Sequence, residues 1–171
     1  AGSNRALFVQ ISIDASGVNA TSVTYGGVNL TRVGRTTGSH AVEIWSLVNP
    51  AQGSANIEVN LSGTTAVAAG ASTFNGVNQA TPTGTFVGNS GSGIPIFLFP
   101  VTGSVTVSSA VGDLVIDAQY WSDSNADTTG SGQTAQWTHS SFLSSALGGS
   151  TTEAGAASVT MSGSVSAFIA F

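Results

Sequence analysis

Three observations predict an all-β fold. Apolar residues recur with period two, no stretch carries a 3.6-residue stripe long enough for a substantial helix, and Gly- and Asn-rich turn signals punctuate the chain at short intervals. About ten strands at that spacing suit a two-layer antiparallel β-sandwich, jelly-roll or immunoglobulin-like, better than alternating β and α units. Gly-Ser stretches are short loops and no repeat of fixed period is present, so residues 1–171 are expected to form a single domain.

The strands follow in order. Leu7, Val9, Ile11 and Ile13 alternate with Ala6, Phe8, Gln10 and Ser12, the pattern of a half-buried strand. Residues 22–25 and 28–33 flank Gly26-Gly27, a pair able to take the positive φ of a two-residue hairpin turn. A strand is predicted over 41–48, and Ile57, Val59 and Leu61 alternate with Asn56, Glu58, Asn60 and Ser62 as a second half-buried strand. Further strands are expected at 66–74, 104–107, 113–121, 133–138, 156–161 and 164–171, with a helical turn over 140–147. Asn75-Gly76, Ser90 to Gly93, Thr129 to Gly132, Gly148-Gly149 and Ser162-Gly163 mark the turns between them.

Charge is scarce. Asp, Glu, Lys and Arg make up 6% of the 171 residues, and the positive charges are Arg5, Arg32 and Arg35 alone. An ordinary soluble domain has about 25%. The polar surface is therefore built from hydroxyls, amides and backbone, groups that lose less hydration than ions when they pack against a neighbour. A net charge of −5 supplies no basic stripe for a phosphate backbone, which argues against nucleic acid as a partner. No apolar run approaches the roughly 18 residues of a spanning helix, and the most apolar stretch, Ile94 to Val101, is interrupted by Pro95 and Pro100, so no membrane span is expected. With no cysteine there is no disulfide framework, thiolate nucleophile or Cys-ligated zinc. The chain opens at Ala1-Gly2-Ser3 without a visible signal peptide, compatible with a processed product, and its Ser/Thr/Gly-rich β composition points to an extracellular or cell-surface location.

Candidate sites are few. Glu43 shares a strand face with Trp45 and Leu47, and Asp113 and Asp117 share another with Trp121; a glycosidase needs two carboxylates at a defined separation, but nothing in the local sequence marks an acid or a base. His40 and His139, the latter beside Ser140 and Ser141, lack the elbow or the His-x-x-x-His spacing of a catalytic or metal motif. No catalytic residue is assigned and the chain is read as noncatalytic. Asp123, Asn125 and Asp127 offer oxygen ligands at alternate positions, which suits Ca²⁺. Thr128 and Thr134 stand where an EF-hand loop has its glycine and its glutamate, and an acidic turn is the ordinary alternative; no other cofactor is implied. Trp45, Trp121 and Trp137 are candidates for stacking on glycans, against the ordinary fate of aromatic residues as core. The sequons at Asn19, Asn29 and Asn60 are expected by chance in a chain this rich in Asn, Ser and Thr.

The last strand carries Val165, Ala167, Ile169 and Phe171 on one face with Phe168 and Ala170 opposite. A strand apolar on both faces must lie between neighbours, either inside its own sandwich or docked into another copy as an assembly strand.

Residues 3–12, Ser22-Val-Thr-Tyr-Gly-Gly-Val-Asn-Leu-Thr-Arg-Val33 and Val42-Glu-Ile-Trp-Ser-Leu-Val48 resemble a β-sandwich module of bacterial extracellular surface proteins. So do Phe74-Asn-Gly-Val-Asn-Gln-Ala-Thr-Pro82, Gly112-Asp-Leu-Val-Ile-Asp117 and Glu153 to Met161. That family has no agreed activity, and the resemblance implies a further strand before Ser3. The expected function is a noncatalytic extracellular structural module, a subunit of a fibre, sheath or surface layer whose copies associate through strand edges. A carbohydrate-binding or adhesive module is the alternative.

Overall fold

A computed structural model describes residues 2–38, 40–89, 102–120, 129–140, 145–153, 158–164 and 167–170. The described elements are strands: β1 Ala6–Ile13, β2 Ala20–Tyr25, β3 Val28–Asn29, β4 Thr31–Thr37, β5 Ala41–Val48, β6 Ile57–Leu61 and β7 Val67–Phe74. Then come β8 Val87–Asn89, β9 Thr102–Ser108, β10 Leu114–Tyr120, β11 Thr134–Ser140, β12 Ser145–Glu153, β13 Ser158–Ser164 and β14 Ala167–Ala170. Every pairing among the described residues is antiparallel, consistent with a β-sandwich.

The sheets run β4-β5-β1-β7, β11-β12-β10-β14-β8, β3-β2-β6 and β13-β9. Central position explains why β1 is buried at all eight residues instead of half-buried. Its even residues Ala6 and Phe8 pack with Val42 and Ile44 of β5 against Ile116, Ala118 and Tyr120 of β10. Its odd residues Leu7, Val9, Ile11 and Ile13 pack with Ala41 and Trp45 against Ala20 and Val23 of β2 and Leu30. The β4-β5-β1-β7 sheet is thus covered on both faces along its middle. A fully buried aliphatic side chain contributes about 1.5–3 kcal/mol, so this strand pair anchors the fold. A third cluster, Val105, Val107, Val115 and Met161, closes the opposite face of β10 against β9 and β13.

Tyr25 pairs with Val28 across Gly26 and Gly27, whose φ angles of 56° and 80° both lie in the left-handed region, so the hairpin forms where the sequence predicts it. Other local signals yield to the ladder. Gly148-Gly149 and residues 145–147, read as a turn and the end of a helical turn, lie inside β12, in the part that pairs with β11; β10 pairs with its later residues 151–153. Ser162-Gly163, read as a turn, pairs with Ser104 and Gly103 inside β13. Weak local turn propensity loses where a neighbouring strand supplies a ladder, β11 at Gly148 and β9 at Ser162-Gly163. The predicted turn at Ser90 to Gly93 lies outside the described residues.

Candidate assembly edge

The registers decide which backbone groups of β7 are used. Asp14 N–H donates to Ala66 C=O at 3.0 Å, one step beyond the Ile13 and Val67 pair, which makes that position a hydrogen-bonded pair of the β1–β7 ladder. Hydrogen-bonded and non-hydrogen-bonded pairs alternate, so Ala68, Gly70, Ser72 and Phe74 turn their N–H and C=O toward β1. Val67, Ala69, Ala71 and Thr73 turn theirs away from it. Their side chains stand on the face shared with Leu7, Val9, Ile11 and Ile13, yet all four residues are exposed, because the β3-β2-β6 layer does not reach across β7. Among the described residues no strand pairs with that outer edge.

The other face of β7 is occupied. Trp137 of β11 packs directly on Gly70, where a Cβ would fall within the indole ring, and its Nε1–H donates to Gln10 Oε1 at 3.1 Å. Glycine is required there by close approach, since its φ is not in the left-handed region. The Trp137 ring, read as a candidate for glycan stacking, is half-buried at this inter-sheet contact.

The opposite edge of the same sheet is protected. β4 carries Arg32 and Arg35 and shifts register between Arg32 and Gly34, a bulge. Charges and bulges are the usual guards against edge-to-edge pairing. β7 has neither charge, proline nor register shift along eight residues. No Asp, Glu, Lys or Arg occurs between Glu58 and Asp113, a run that includes all of β7.

The other described candidates are held in contacts within the fold. Glu43 is fully buried; its Oε1 accepts from Arg35 Nε at 3.0 Å and from Ala20 N–H at 3.2 Å, and its Oε2 from Trp45 Nε1–H at 2.8 Å. Arg35 also donates to Val18 C=O at 2.9 Å, tying the approach to β2 onto β4 and β5. Trp45 is 8% exposed and belongs to the core, with the Arg32 guanidinium 5.8 Å from its ring centre, so it is unavailable for glycan stacking. Asp117, also fully buried, accepts from Gln119 Nε2 at 2.8 Å and Gln133 Nε2 at 3.1 Å. Glu43 and Asp117 lie on faces of β5 and β10 that point to different core clusters, which is not the shared cleft of a paired-carboxylate mechanism.

His40 Nε2 lies 3.1 Å from Asp14 Oδ1, which accepts from it, and the ring stacks on Tyr120 at 4.2 Å between ring centres; Tyr120 O–H donates to the same oxygen at 2.8 Å. This cluster fastens the end of β1 to the end of β10. His139 is exposed on β11. Trp121, Ser141, the Asp123, Asn125 and Asp127 set, Val165 and Phe171 lie outside the described residues. Among those described, no three His, Asp or Glu side chains are grouped to hold a metal ion, and no helix is long and apolar enough to cross a membrane.

Of the terminal residues expected either inside their own sandwich or as an assembly strand, Ala167, Phe168 and Ile169 lie in β14, between β10 and β8 of its own sheet, with backbone partners on both sides. Within the β4-β5-β1-β7 sheet, the edge without charge or bulge is β7. A cleft of about 530 Å³ lies between residues 74–84 and 108–116, lined by Phe8 and Phe74 together with Asn75, Asn78, Thr81 and Thr83. Among the described residues no tryptophan or tyrosine lines it. Comparisons with protein-family models, curated proteins and solved structures found no match to this chain.

Proposed function

We propose that this chain is a noncatalytic structural module of an extracellular surface whose copies associate through strand edges. The observation that carries the reading is β7: four residues with outward N–H and C=O groups, no charge, no proline and no bulge, on a sheet whose other edge is guarded. Edge backbone groups supply directional hydrogen bonds, and a charge-poor surface adds little repulsion between copies. The polar clusters at Glu43, Asp117 and Asp14 support the same reading, since each ties strands together and none opens into a reaction cleft. Extracellular placement rests on the Ser/Thr/Gly-rich composition alone.

Light scattering across protein concentration tests it. Association is expected to grow toward millimolar protein and to persist at 1 M salt, where the Debye length is about 3 Å and surface charge effects vanish. A monomer at every concentration and ionic strength would contradict the reading.

A further inference from the structure

We infer that the partner of β7 is the β7 of a second copy, paired antiparallel across a two-fold axis through Gly70. This rests on the proposed edge association and specifies its geometry. The outward-bonding residues are all odd-numbered, and an antiparallel ladder that matches them to themselves most fully sets Val67 opposite Thr73′ and Ala69 opposite Ala71′, the prime marking the second copy. In that register every outward N–H and C=O of the four residues finds a partner. A shift by two residues in either direction leaves some unpaired.

Side-chain chemistry agrees with that register. The apposed residues on the outer face are Val with Thr and Ala with Ala; on the inner face Ala68 meets Ser72′ and the two Gly70 residues meet at the axis. No charge opposes a charge, and no large side chain has to move at the centre, because Trp137 of each copy already covers its own Gly70. Two β4-β5-β1-β7 sheets then merge into one continuous sheet ending at both sides on β4, where Arg32, Arg35 and the bulge stop further growth. A two-fold contact is self-closing, so this edge yields a dimer. A longer assembly uses a different surface of that dimer.

The chain has no cysteine, so Val67→Cys and Thr73→Cys each introduce a single thiol for a nitroxide label. Both side chains stand off the sheet instead of lying in its plane, which leaves the edge itself unmodified. Dipolar spectroscopy on each variant is expected to give the same backbone separation, about 20 Å, six residues of strand rise. Unequal separations place the axis elsewhere, and absence of coupling in protein that does associate moves the contact off β7; either overturns this inference and leaves edge association standing. If labelled and unlabelled protein are both monomeric up to millimolar concentration, the reading beneath it fails as well.

Discussion

Arg35 is the residue on which most local order depends. Its guanidinium neutralises the fully buried Glu43 and reaches the backbone before β2, while Glu43 also receives Ala20 N–H and the Trp45 indole N–H. Removing one member of a buried ion pair costs about 3–5 kcal/mol, since the remaining charge is left without compensation. Arg35→Ala is therefore expected to lower stability by about 3 kcal/mol, the lower end because Arg35 itself keeps some exposure, measured as a reduced denaturant midpoint. The alternation around Glu43 correctly places it on one face with Trp45 and Leu47. That this face lies under β2 was not legible, because burial there depends on a strand some twenty residues earlier in the chain. The same limit applies to Trp137, whose seat on Gly70 depends on the packing of β11 over β7.

At the scale of the element, β7 divides into residues that bond β1 and residues that bond nothing else described. Proline tests the division directly, because it removes one N–H and fixes φ. Ala71→Pro removes an outward N–H and is expected to keep the fold while abolishing association; Ser72→Pro removes an inward N–H, breaks the β1 ladder and lowers the melting temperature by about 5–10 °C. Calorimetry and sedimentation on the two variants separate these outcomes. The strand itself was legible as residues 66–74, and so was the hairpin at Gly26-Gly27, where the chemistry is local. Gly148-Gly149 shows the converse: two glycines signal a turn only when no ladder claims them, and β11 pairs with this part of β12. The apolar terminal strand was rightly required to lie between neighbours. Composition had no means of saying that β10 and β8 of the same chain are those neighbours.

Across the whole molecule, charge poverty has a definite geography. Arg32 and Arg35 sit on β4, and the uncharged run from residue 59 to 112 includes β7, so one sheet has a guarded edge and an open one. Neutral composition becomes a statement about where contact occurs as well as whether it does. The most direct check is residue-resolved amide hydrogen exchange of dilute and concentrated protein. Val67, Ala69, Ala71 and Thr73 are expected to exchange rapidly when dilute and to slow together, by at least tenfold, as the protein is concentrated, with the amides of Ala68, Gly70 and Ser72 protected throughout. Unchanged exchange at the four outward amides in protein that is associated, or protein that never associates, would contradict the account.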